Sequence, residues 1–142
     1  MTTNATVKTE IIEQIDHSLR ALDERKFDEL RSHFTEDVAA EYPIGHVHGI
    51  EQLLASTEAG VLRYARTQHL GLNYLVDIAP DGERATAGWN QICHHVHPEG
   101  DVFTVGTHCQ AELIRTTVGW QVNHTTMQAI WTTGRPPAIV EV

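Results

Sequence analysis

Basic residues are few in this chain: 10 Lys and Arg stand against 19 Asp and Glu, a formal charge of −9. No Lys/Arg cluster offsets that charge, and binding a phosphate backbone depends on such clusters, so nucleic acid is excluded as a partner. Long apolar runs are missing too. None approaches the roughly 18 residues a membrane helix requires, which removes the membrane as a partner, although the 41% hydrophobic content is ordinary for a globule. Cysteine is scarce. Cys93 and Cys109 form neither a CxxC pair nor a disulfide framework, so free thiols in a reducing compartment are expected. Met1 to Thr6 has neither the basic start nor the apolar core of a secretion signal, and cytoplasmic residence is the expectation. Without a secretory context, the glycosylation pattern Asn123-His124-Thr125 carries no meaning. The chain has no internal repeat, linker or low-complexity tract, and its 142 residues fit one domain, 1–142.

What is present falls into two halves. Ile11, Ile12, Ile15, Leu19 and Leu22 recur at three- and four-residue spacing, which predicts a helix over about 8–23 with one packed face. Phe27, Leu30 and Phe34 line one side of a second short helix over 26–34. Val38 to Tyr42 reads as a short strand stopped by Pro43, since proline offers no N–H to a ladder. Gly45 and Gly49 bracket a loop leading to a third helix over about 50–64. From Thr67 the pattern changes to long strands over 68–78, 85–97, 102–115 and 120–131. They are separated by Pro80-Asp81-Gly82, Pro98-Glu99-Gly100-Asp101 and Val118-Gly119, the residues of tight reversals. The prediction is an α+β fold: a strongly curved antiparallel sheet packed by three N-terminal helices around a central pocket, with residues 134–142 as an extended arm.

Ten histidines are unusual in a chain of this length, and they let its charge change between about pH 5 and 7.5. His94-His95-Val96-His97 and His46-Val47-His48 invite a metal reading, because alternate histidines on a strand can converge on zinc. A third ligand with its supporting contacts is needed, both clusters abut turn residues, and no metal is expected.

His69 enters the first long strand within Arg66-Thr67-Gln68-His69, and Asp23 stands at the end of the first helix. A carboxylate that accepts an imidazole Nδ1 hydrogen fixes the tautomer and leaves Nε2 to take a proton. The pair is therefore a candidate general base with its orienting partner. If His69 points inward, alternation sends Gly71 and Asn73 the same way. On the next strand Trp89, Gln91, Cys93 and His95 share a face unless a bulge intervenes. Trp89 is a candidate wall, and His95 a candidate donor to an oxyanion or a leaving hydroxyl. Gln110 and Glu112 are the polar candidates on the following strand. Burying an unpaired carboxylate is costly, so Glu112 should find a partner or face solvent.

Laid out this way, the chain resembles the SnoaL-like group of the NTF2-like superfamily, in particular its scytalone dehydratase, bile-acid 7α-dehydratase and hexachlorocyclohexane dehydrochlorinase branch. The likeness runs from the first helix to Trp131. Asp23, in Ala21-Leu22-Asp23-Glu24-Arg25-Lys26, and His69 match the family's catalytic pair, and Tyr42 falls where scytalone dehydratase carries a water-holding tyrosine. Leu22 and Ser18 depart from the branch, standing where its members place a tyrosine or a lysine. The resemblance implies a cofactor-independent lyase acting on a small, mostly apolar cyclic molecule. Catalytic roles fall to His69, Asp23, Tyr42 and His95, and substrate contacts to Asn73, Trp89, Cys93 and Gln110. Isomerisation or polyketide-type cyclisation would use the same base, and a non-catalytic small-molecule binding module is the alternative from another class. A homo-oligomer is expected, a dimer before a trimer.

Overall fold

The computed structural model describes residues 3–43 and 45–138. Helix α1 spans Asn4–Asp23, earlier in its start than the apolar stripe predicts, because Thr3 caps it by accepting the Thr6 N–H. α2 is a single turn, Phe27–Leu30, followed by a 3₁₀ turn over Arg31–His33. Strand β1 then runs Phe34–Tyr42, so Phe34 opens a strand instead of closing a helix. β2 occupies Gly45–His48, a segment expected to be loop, and α3 spans Ile50–Leu62. β3 (Arg66–Ile78), β4 (Arg84–Val96), β5 (Val102–Thr116) and β6 (Gly119–Gly134) complete the order.

The six strands form one sheet, ordered β2-β1-β6-β5-β4-β3. The four long strands make the expected antiparallel meander. The sheet as a whole is mixed, because β1 pairs with β6 in parallel, which corrects the all-antiparallel expectation. A parallel neighbour needs a long crossover, and everything from β2 to β5 supplies it.

One face of the sheet is covered by α1, whose Val7, Ile11 and Ile15 pack against Val76, Ala87, Trp89, Cys109, Leu113, Trp120 and Val122. Burial of such side chains, at about 1.5–3 kcal/mol each, holds the helix down. A second cluster joins Val38, Ala40 and Val47 to Ile50 and Leu53 of α3. Among the described residues, no helix is long and apolar enough to cross a membrane. The start of the tail is tied to the β4–β5 turn: Arg135 donates to Asp101 (2.6 and 2.9 Å) and Glu99 (3.1 Å). Residues 139–142 of the predicted arm lie outside the described residues.

Candidate active site

The end of α1 is turned by Arg25 in the left-handed region at φ 59°, with its N–H bonded to the Leu22 carbonyl and the Lys26 N–H to that of Ala21. Glycine usually takes this position. Here the arginine side chain supplies a reason for its presence: its Nη2 donates to the carbonyls of Tyr64 (2.6 Å) and Ala65 (2.8 Å), the residues just before β3. The last turn of α1 is thereby held against the entry of β3, and Asp23 meets the first inward-facing residues of that strand.

Asp23 receives three donors. Its Oδ1 accepts from Thr67 Oγ1 (3.0 Å) and pairs with His69 Nδ1 (2.7 Å), while Oδ2 accepts the His69 backbone N–H (2.8 Å). Burial alone would raise its carboxyl, but the His69 ring and backbone hydrogen bonds, the imidazole's charge and Thr67 outweigh it and hold Asp23 below the usual carboxylate range. An ionised Asp23 is an acceptor only, so in the neutral imidazole the hydrogen sits on His69 Nδ1 and Nε2 is left as a lone pair. Both side chains are mostly buried, at 11% exposure for His69 and 22% for Asp23.

His69 Nε2 faces Cys93 Sγ at 3.2 Å, and Sγ lies at the same distance from His95 Nε2. Cys93 is directly opposite His69 in the β3–β4 register. His95 Nδ1 bonds the Phe103 carbonyl (2.9 Å), and Tyr64 packs on its ring at 4.5 Å. Burial lowers the His95 pKa, helped by the nearby His69, His97 and His94 and opposed by the Phe103 carbonyl. His69, Cys93 and His95 are thus brought together on the helix-covered face, as alternation predicted. Trp89 and Gln91 share that face, with Trp89 Nε1 donating to Gln91 Oε1 (3.0 Å) and the indole stacked on Tyr74. Both belong to the packed interior.

Asn73 and Gln110 are not with them. β3 carries one extra residue between Leu72 and Leu75, and Asn73 takes φ 57° there. The bulge reverses the alternation, so Tyr74 turns inward to bond Asp16 (2.5 Å) and Asn73 lines a cavity of about 590 Å³ on the opposite face. Gln110 and Glu112 line that same outer cavity, and Glu112 is 63% exposed on its side chain, with His124 at 4.0 Å. Tyr42 packs with Val38, Ala40 and Leu53. Burial pushes its phenol up to about 12, against the pull of Thr57. Among the described residues no hydrogen bond or ring contact joins it to His69.

A cavity of about 950 Å³ straddles the free edge of β3. It takes in Asp23 and His69 together with Glu13, Asp16, Arg20 and Gln68, but not Cys93 or His95. The groove therefore reaches the dyad from its rear, while Nε2 turns toward the inner face. His94, His95 and His97 diverge, bonding Thr104, Phe103 and the Arg135 carbonyl respectively. No group of three His, Cys, Asp or Glu side chains suited to a metal ion occurs among the described residues. Thr67 and Arg25 were missed from sequence. Period-two spacing from His69 was a usable signal for Thr67; nothing local distinguished Arg25.

Three solved structures share this fold. A scytalone dehydratase-like protein from Novosphingobium aromaticivorans is 17% identical, with 90% of this chain and 87% of that one covered and a TM-score of 0.82. The hexachlorocyclohexane dehydrochlorinase LinA-type3 from Novosphingobium barchaimii is 18% identical, with 88% and 87% covered and a TM-score of 0.77. An NTF2-like superfamily protein from Salmonella enterica serovar Typhimurium is 18% identical, with 99% and 97% covered and a TM-score of 0.80. No curated protein matches the sequence. These likenesses show a shared NTF2-like fold; residues 3–126 match the family model of the SnoaL-like domain, and the chain belongs to that family.

Proposed function

We propose that the protein is a cofactor-independent lyase in which His69, oriented by Asp23, removes a proton beside an activating carbonyl of a small, largely apolar cyclic substrate, and a hydroxyl or other group leaves the neighbouring carbon. The observation that carries this reading is the 2.7 Å contact between Asp23 Oδ1 and His69 Nδ1, with the Nε2 lone pair directed inward. The substrate's acidic C–H takes the place of the Cys93 contact at His69 Nε2, on the helix-covered face of the sheet. His95 is neutral near pH 7, with its Nδ1 hydrogen committed to Phe103, and so offers an acceptor Nε2. By taking up the proton that His69 has removed from carbon, it can hand that proton to a departing hydroxyl, and the net change is loss of water. General-base assistance contributes about 10²- to 10⁴-fold, and charge stabilisation must supply the rest.

Likeness to proteins named for dehydration and dehydrochlorination favours elimination over isomerisation or cyclisation, which begin with the same proton transfer. We place Trp89 as packing behind the site and assign Tyr42 no contact with the dyad. We further propose cytoplasmic action as a single-domain homodimer. The test is a panel of cyclic β-hydroxy ketones with wild type and His69→Ala. Expected is ligand binding within a few-fold of wild type and turnover lower by about 10² or more. Equal turnover in the two proteins overturns the reading.

A further inference from the structure

Cys93 has a use that elimination does not require. Its Sγ has two imidazole nitrogens at 3.2 Å, His69 Nε2 and His95 Nε2. The other nitrogen of each ring is committed to an oxygen that only accepts: the Asp23 carboxylate for His69 (2.7 Å) and the Phe103 carbonyl for His95 (2.9 Å). Both Nδ1 atoms therefore carry the hydrogen, and both Nε2 atoms present lone pairs. One S–H hydrogen faces two acceptors. Along one arm the order is thiol, imidazole, carboxylate: a nucleophile within hydrogen-bond reach of a base that a third group orients. Cys109 is the contrast within the same protein. Both sulfurs are buried, Cys93 at 6% exposure and Cys109 at 1%, so the difference lies in their partners: Cys109 Sγ has Thr107 Oγ1 (3.5 Å) and Gln91 Oε1 (3.8 Å), with no imidazole hydrogen-bonded to it among the described residues.

Burial pushes the Cys93 thiol well above its ordinary pKa, with the Asp23 charge adding to the effect, so the resting sulfur is protonated. A reaction at sulfur must then transfer the proton as the new bond forms, which is what the His69 contact permits.

We infer that Cys93 is a nucleophile activated by His69, and that it adds to the β-carbon of small α,β-unsaturated carbonyl compounds. The Sγ–carbon bond forms as the carbon–carbon π pair moves to the α-carbon and yields an enolate. His69 Nε2 takes the thiol proton and returns it to the α-carbon. The net change is addition of S–H across the double bond, with no oxidant and no other reactant. The choice of electrophile rests on the elimination reading, because loss of a β-group beside a carbonyl creates this unsaturation. The adduct retraces that step with sulfur in place of the leaving group.

The test is incubation of the native protein with 2-cyclohexen-1-one, and with cyclohexanone as the saturated control, followed by intact-mass measurement and peptide mapping. Expected are one enone adduct, located on Cys93 and not Cys109, and none with the saturated ketone. His69→Gln and, should that variant fold poorly, Asp23→Asn slow the adduct about 10²-fold, while both cysteines label alike in urea-unfolded protein. The proposal is overturned if native wild type stays unlabelled where the unfolded chain labels fully. It is equally overturned if Cys109 labels as fast as Cys93, or if folded His69→Gln or Asp23→Asn labels at the wild-type rate. Because mass is read rather than turnover, an adduct without elimination activity removes only the elimination reading. Turnover without an adduct removes only this one.

Discussion

At the scale of single residues, the site's titrating groups are pulled in ways that acid should expose. The His95 pKa is lowered chiefly by burial, and that of His33 by burial and by His17. The unfolded chain therefore binds more protons than the folded one between the ordinary histidine value of about 6.5 and the lower folded values, and stability must fall as pH drops through that window. Asp23 acts lower down. Its folded pKa lies beneath 3.8, so its contribution is complete above that value and is lost as pH falls through the folded pKa. Denaturant melts from pH 7.5 to 3 should show both limbs. His95→Gln should shallow the upper limb without abolishing it, since His33 remains, and Asp23→Asn should shallow the lower one, where the ion-paired or hydrogen-bonded Glu24, Glu51, Asp81 and Asp101 remain. An upper limb unchanged in His95→Gln would contradict the burial argument. The dyad was legible in sequence because a histidine entering a strand and a carboxylate ending a helix are both positional features. Asn73 was misread for an equally local reason: alternation assumes no bulge, and asparagine is among the few residues that tolerate the left-handed region a bulge can need.

At the scale of elements, Arg25 decides whether α1 and β3 meet correctly. Two effects oppose each other there: a left-handed backbone costs a non-glycine residue roughly 1 kcal/mol, and the guanidinium's hydrogen bonds to Tyr64 and Ala65 return about 1–3 kcal/mol. Arg25→Ala keeps the strain and loses the tether, while Arg25→Gly loses both. Urea titrations should rank wild type above Arg25→Gly and Arg25→Ala lowest, with both variants showing reduced turnover from a displaced Asp23. An alanine variant as stable as wild type would remove the tether from the account. The four long strands could be read because proline, glycine and aspartate mark their reversals. β2 could not: Gly45–His48 buries only Val47, too little to form a period. The parallel β1–β6 pairing is a long-range contact that no local pattern records.

At the scale of the whole molecule, the sheet face away from α1 remains to be explained. Leu75 is 77% exposed and Leu72 39%, while Trp131, 46% exposed, lies over Gly106 so closely that a Cβ there would meet the indole. Large apolar side chains left in water on one face suit burial against a second copy. Two chains each carrying −9 repel one another, so an apolar contact between them should tighten as salt screens the charge. Light scattering after size exclusion should give a two-chain mass at micromolar concentration, with dissociation on dilution favoured at low salt. Leu75→Lys should shift that mass to a single chain and leave the fold intact, because an exposed leucine contributes little to a lone protomer. A wild-type protein that stays monomeric across this range, or a Leu75→Lys variant with an unchanged two-chain mass, would place the interface elsewhere or remove it.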